Sequence, residues 1–159
     1  MNKLIVMCGP SGSGKSTYAK THYKNYEYVS RDVIRLSLLQ EGDRYFSKEK
    51  EVFAQFISTI GHSLLNKDTV ADATHLNKKS RNKLFDALDR WCSEHNIVPD
   101  YSAICVFLNT PLDQCIKNND NRSGREHVPI DEIISMYNAV VKPSTAENDH
   151  IKTVIIVGG

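Results

Sequence analysis

A chain of 159 residues is long enough for one compact domain with a buried core and short for two, so a single domain over residues 1–159 is expected. Hydrophobic residues at 40% and charged residues at 25% exclude a disordered chain, and a net charge of +1 excludes a strongly basic protein that coats a polymer, although a few local cations could still hold one end of a strand. No apolar run reaches membrane-spanning length, and Gly9, Pro10 and Ser11 interrupt the opening segment where a secretory peptide would stay apolar, so a soluble, cytoplasmic protein is expected.

The elements alternate. Lys3–Cys8 is a continuous apolar run closed by glycine and predicts a buried strand. A helix is expected from Lys15 to about Tyr23, then a weaker strand over Tyr26–Val29. Ser30 is placed to cap a helix running through Ile34 and Leu38. Ser47 is placed to cap a longer one through Leu65, on which Phe53, Phe56, Ile57 and Ile60 fall at i, i+3, i+4 and i+7. Thr69–Ala73 predicts the third strand, and Lys78–Cys92 a helix with Leu84, Leu88 and Trp91 at helical spacing. Tyr101–Leu108 predicts the fourth strand. Pro111 opens a helix carrying Leu112, Cys115 and Ile116. Ile130–Val140 predicts another, with Ile133, Ile134, Tyr137 and Val141 on one face, and Thr153–Val157 the fifth strand. Continuous apolarity suits strands covered on both faces, and strands alternating with helices imply an α/β fold built on a parallel sheet with right-handed crossovers.

Cys8, Cys92, Cys105 and Cys115 are far apart and form no C-x-x-C pair, and three of them sit in apolar patterns, which reads as buried reduced thiols. The histidines have no metal-ligand spacing.

Gly9–Ser16 reads G-P-S-G-S-G-K-S, an unbroken match to G-x-x-x-x-G-K-[ST]. It follows a predicted strand and opens a predicted helix, the context in which this pattern cradles phosphates. The backbone N–H groups of Gly9, Ser11, Gly12, Ser13 and Gly14 would turn inward around a β-phosphate, helped by the N-terminus of the helix that carries Lys15, Ser16 and Thr17. Lys15 would reach the β- and γ-phosphates of ATP, and the Ser16 hydroxyl would ligate Mg²⁺.

Asp32 and Arg35 lie three apart after the second strand, so on a helix they share a face, at the strand ends where ligands of a parallel sheet gather. Asp32 also suits a plain charge at a helix N-terminus, favoured by the dipole. Asp72 ends the third strand with Thr74 close behind. Arg122 and Arg125 flank Gly124 in a segment too polar for a core.

Taken in order, Gly9–Ser16, Arg31-Asp32-Val33-Ile34-Arg35, Asp72-Ala73-Thr74-His75 and the segment Asn121–Pro129 resemble the polynucleotide 5′-hydroxyl kinase branch of the P-loop kinases, over nearly the whole chain. That resemblance implies a P-loop NTPase fold with an arginine-bearing lid. It implies Asp32 as general base, Arg35 gripping the acceptor, Asp72 divided between metal contact and acceptor orientation, Thr74 beside it, and Arg122 or Arg125 as the lid arginine. A carboxylate is far too weak a base to strip an alcohol in advance. Phosphoryl transfer has a loose transition state, however, so the hydroxyl becomes acidic only late, and an aspartate need only orient it and accept the proton then. By the same resemblance, Pro143–Glu147 would run near the adenine ring.

The acceptor implied is the 5′-hydroxyl end of a polynucleotide. A small-molecule or nucleoside kinase of the same fold is the alternative, and an ATPase switch a third reading. Lys78, Lys79, Arg81 and Lys83 suit either a phosphate guide or, more simply, a solvated helix face. Within Gln40–Lys50, Tyr45 and Phe46 would offer an aromatic face to a base or else pack as a core contact.

Overall fold

The computed structural model describes residues 1–158. Five strands, β1 (Asn2–Cys8), β2 (Glu27–Ser30), β3 (Thr69–Asp72), β4 (Tyr101–Leu108) and β5 (Ile151–Val157), pair in the order β2-β3-β1-β4-β5, and every pairing is parallel. β1 lies at the centre, Leu4 opposite Thr69 of β3 and Asn2 opposite Tyr101 of β4. The strands are the expected ones to within two residues at either end. The helices are α1 (Lys15–His22), α2 (Arg31–Leu38), α3 (Glu49–Leu64), α4 (Lys78–Glu94), α5 (Leu112–Asp120) and α6 (Ile130–Asn138), with short 3₁₀ turns at Gly124–Glu126 and Thr145–Glu147.

Burial on both faces explains the unbroken apolar runs. Successive strand side chains point to opposite sides. Leu4, Val6 and Cys8 join Val29, Ala71, Ala103, Cys105 and Phe107 under α3 and α4, which contribute Phe56, Ile60, Leu84, Phe85 and Leu88. Ile5, Met7, Val70, Val106 and Leu108 face the other way, against Ala19 of α1. Helices α3 and α4 come close at Gly61, where a Cβ would meet the Trp91 ring at 2.5 Å, so only a hydrogen fits there. All four cysteines are buried free thiols. Among the described residues, no helix is long and apolar enough to cross a membrane.

Three local expectations need correction. The Ser30 cap is present, its Oγ accepting from the Val33 N–H at 3.2 Å, but Ser47 caps nothing: its hydroxyl turns back to the Arg44 carbonyl at 2.8 Å and Lys48 takes the N-cap position of α3. Helix α4 is capped instead by Asn77, in a reciprocal capping box with Ser80. On α6 only Ile133 is buried, whereas Tyr137 and, just beyond the helix, Val141 are exposed.

The third concerns Arg81, which is neither a phosphate guide nor part of a solvated face. It is 0% exposed. Its guanidinium forks onto Glu147, Nε to Oε2 at 2.8 Å and Nη2 to Oε1 at 2.6 Å, and also donates to the carbonyls of His75 and Val141, each at 2.9 Å. The position is one turn before Leu84 and Phe85, on the buried face of α4. Its partner Glu147 belongs to the Pro143–Glu147 stretch, which is therefore fastened to α4 and lines neither the cleft nor the groove described below. Breaking a buried pair strands a charge, and Arg81→Met also abandons two carbonyls. It should lower the unfolding free energy by about 3–5 kcal/mol in denaturant titration, and a loss under about 1 kcal/mol would mean that the pair contributes nothing net.

Candidate active site

The loop between β1 and α1 is held from both sides of the sheet. Gly9 N donates to the Thr74 carbonyl beyond β3 at 2.8 Å. From the β4 side, Thr110 Oγ1 donates to the Ser13 carbonyl and Asn118 Nδ2 to the Gly12 carbonyl, both at 2.7 Å. Gly12 has φ +82, and a Cβ there would sit 2.3 Å from the Cys115 carbonyl oxygen, so no other residue is admitted. Ser13 Oγ is buried and has no partner within the chain. Lys15 is buried, its Nζ donating to the Pro10 carbonyl at 2.9 Å. Burial lowers the Lys15 pKa, and the carboxylates of Asp72 and Asp32 oppose that shift. Two of the amides expected to face a phosphate are taken within the protein, the Gly9 N–H by the Thr74 carbonyl and the Ser13 N–H by the Pro10 carbonyl at 3.1 Å. The orphan Ser13 hydroxyl and the buried Lys15 ammonium, at the N-terminus of α1, fit a polyphosphate.

Asp72 closes β3 beneath this loop. Its Oδ2 accepts from Ser16 Oγ at 2.6 Å and from the Tyr28 hydroxyl of β2, whose pKa is pushed up by burial and by that carboxylate. Two hard oxygens, Ser16 Oγ and Asp72 Oδ2, therefore lie together beside the phosphate loop, and among the described residues no group of three or more His, Cys, Asp and Glu side chains forms a protein-only cage. That donor set fits Mg²⁺, which uses few carboxylates and keeps phosphate and water ligands.

Next to Asp72, His75 fixes the strand end. It is buried, adopts φ +42, and its Nδ1 lies 2.7 Å from the Met7 carbonyl at the end of β1, to which it donates. Burial drives its pKa down to about 4, more than the Met7 carbonyl restores. From sequence this residue has no role of its own; in the structure it ties the chain beyond β3 to the end of β1, just ahead of the phosphate loop.

A cleft of about 270 Å³ opens over the loop. Lys15, Ser16 and Asp72 form its floor, and Asp32 and Arg35 of α2 one wall, with Ser11, Gly14, Thr17 and Thr74 also bordering it. Asp32 is open to solvent, its side chain 65% exposed, and Oδ1 accepts from Arg35 Nη1. Arg35 is buried and gripped by a residue that the sequence reading missed. Glu49, at the start of α3, takes Nε at 2.8 Å and Nη2 at 2.6 Å in a two-point contact. Burial alone would depress the guanidinium, but the Glu49 hydrogen bonds and the Asp32 charge raise its pKa above the ordinary value. Burial likewise opposes ionisation of Glu49, and Arg35 and Arg31 outweigh it, so its pKa is lowered. Most of Arg35 is thus committed inside the protein, to Glu49, Asp32 and the Tyr45 hydroxyl at 3.4 Å. Arg31, also unassigned from sequence, borders the cleft and contacts Glu49 at 3.4 Å.

The two lid candidates separate. Arg122 borders the cleft, as Asp32 and Arg35 do. Arg125 does not border it. It donates through Nη2 to the carbonyls of Asp43 at 3.0 Å and Gln40 at 3.3 Å, strapping the Asn121–Pro129 segment to the loop after α2. A second, shallower groove runs along α1 past Gly12, Tyr18, His22, Leu108, Asn118 and Arg122.

Comparison with known proteins places the chain among P-loop kinases by family and by fold. The family model described as an AAA domain matches residues 4–143. This chain belongs to that family. Among curated proteins it is 26% identical to "Putative bifunctional polynucleotide kinase/RNA ligase" of Autographa californica nuclear polyhedrosis virus, over 91% of this chain but only 22% of that protein's length. Among solved structures it is similar to a fungal RNA kinase, with TM-score 0.64 and 14% identity, covering 99% of this chain and 74% of that one. It is also similar to a sugar kinase from Janibacter sp. HTCC2649, with TM-score 0.63 and 17% identity, covering 99% and 84%. Identities this low establish the shared P-loop kinase fold. The resemblance read from the four sequence motifs stands.

Because the fold holds His75 neutral, while an unfolded histidine takes a proton near pH 6.5, stability should be full above about pH 6.5 and should fall as pH drops toward about 4, by on the order of 3 kcal/mol. Denaturant titrations across that range should show His75→Asn lacking this part of the slope; equal slopes in the two proteins would mean that His75 titrates freely.

Proposed function

We propose that this chain is an ATP-dependent phosphotransferase that moves the γ-phosphate onto the 5′-hydroxyl end of a polynucleotide. The observation that carries the reading is Asp32: an open carboxylate, fixed by Arg35, bordering the same cleft as Lys15 and Ser16. A carboxylate so placed suits an alcohol entering from solvent, and the curated relative's printed description supports a polynucleotide as the source of that alcohol.

Each residue has a task. The loop amides that are not bonded within the protein, with Lys15, bind and orient the β- and γ-phosphates. Ser16, with Asp72 hydrogen-bonded behind it, would hold magnesium, which neutralises charge between those phosphates. Asp32 accepts a hydrogen bond from the acceptor hydroxyl and aims its oxygen at the γ-phosphorus. As the new P–O bond forms, the bond to the β–γ bridging oxygen breaks, ADP departs with that electron pair, and the hydroxyl proton passes to Asp32. Arg35 fixes the rotamer of Asp32. Arg122 reaches the cleft from the Asn121–Pro129 segment, where a cation offsets charge on the transferring group.

Asp32→Asn keeps the shape and removes the proton acceptor, so turnover should fall by about 10²–10⁴-fold with ATP affinity kept; unchanged turnover would remove the proposed base. Labelled ATP offered in parallel with 5′-hydroxyl oligonucleotides, nucleosides and sugars should label the oligonucleotides. Label in a small molecule alone would replace the acceptor, and free phosphate alone would replace transfer by hydrolysis.

A further inference from the structure

The mouth of the cleft carries a feature that phosphate chemistry does not use. Phe46 borders the cleft and is 49% exposed, an apolar ring beside Asp32, Arg31 and Arg35. It is not a core residue. Tyr45 meets it at a right angle, centroids 4.7 Å apart at 87°, and about half of Phe46 stays open to solvent. Both rings lie against the Arg35 guanidinium, its central carbon 5.0 Å from the Tyr45 centroid and 5.3 Å from that of Phe46. Glu49 fixes that guanidinium in its own plane, so the rings and the Asp32 carboxylate are positioned by one group.

The segment bearing the rings is irregular but well tied. Lys48 Nζ donates to the Leu38 carbonyl at 2.9 Å, the Gln40 N–H donates to Asp43 at 2.8 Å, and Arg125 grips the carbonyls of Gln40 and Asp43. An aromatic ring held rigidly in water loses little on binding a second flat ring, and stacking accepts any base because each has a π-face.

Resting on the polynucleotide reading above, we propose that the exposed ring of Phe46 is a stacking site for the heterocyclic base of the acceptor's first nucleotide. Asp32 then receives the 5′-hydroxyl of the same nucleotide, and Tyr45 holds the platform at the right distance through Arg35. Such a site prefers acceptors carrying a planar ring over bare sugars and is indifferent to which base is present.

The test uses the full chain and two 5′-hydroxyl oligonucleotides, identical except that one has an abasic first nucleotide. The wild type should show a KM about tenfold or more higher for the abasic acceptor, with the KM for ATP unchanged. Phe46→Ala should raise the KM for the base-bearing acceptor to the abasic value and leave the abasic one where it was, whereas Phe46→Trp should restore the difference. Equal KM values for the two acceptors in the wild type, or an equal loss on both in Phe46→Ala, would overturn the stacking site while leaving the transferase reading intact. No transfer to either oligonucleotide would overturn both.

Discussion

The structure depends on β1 being paired on both sides. With β3 on one flank and β4 on the other, the carboxyl ends of three parallel strands converge at one edge, and the chain leaving β1 must turn there among their loops. Whatever those loops carry is brought to the phosphate cradle: Asp72, Thr74 and His75 from beyond β3, Thr110 and Asn118 from beyond β4. The cradle is shaped by these neighbours as much as by its own glycines, through backbone and side-chain hydrogen bonds of 2.7–2.8 Å. Position at the switch of strand order makes this edge the ligand-binding one.

Around that cradle, the α2 side of the cleft is organised by one guanidinium. Arg35 is buried, doubly bonded to Glu49, bonded to Asp32 and covered by two aromatic rings. A planar fork with five donors can satisfy all of these at once, which a lysine could not. Little of it is left to clamp a substrate, so its main effect is to set where other groups point. The arginine gripping the acceptor, as the family resemblance implied, is thus better described as the group that fixes Asp32 and the aromatic wall, with one N–H to spare.

Much of this was legible in the sequence because it is local. The strands announce themselves by continuous apolarity, the phosphate loop by eight consecutive residues, and the Asp32–Arg35 pair by helical spacing. What escaped depends on distant partners. Glu49 lies fourteen positions beyond Arg35, across an irregular loop with no periodicity to carry the register. Arg81 did have a local signal, since it falls in phase with Leu84, Phe85 and Leu88, but a cation in a basic stretch reads as solvated, and Glu147, sixty-six positions away, gives no hint. His75 is similar: its backbone turn and its bond to Met7 depend on β1 and β3 being neighbours. Ser47 shows the reverse failure, a good capping residue that its own loop recruits first.

The strand order also divides the sheet into two halves, β2 with β3 and β4 with β5, each built from strands consecutive in the chain and joined only through β1. Pairing β1 with either half closes a further loop, an entropic cost met before any reward. Because the cradle is fastened from Thr74 on one half and from Thr110 and Asn118 on the other, a chain that has docked only one of them holds the loop by one side alone. Nucleotide retention is therefore a natural signature of the fully joined molecule, and half-assembled chains carry the motif without the grip.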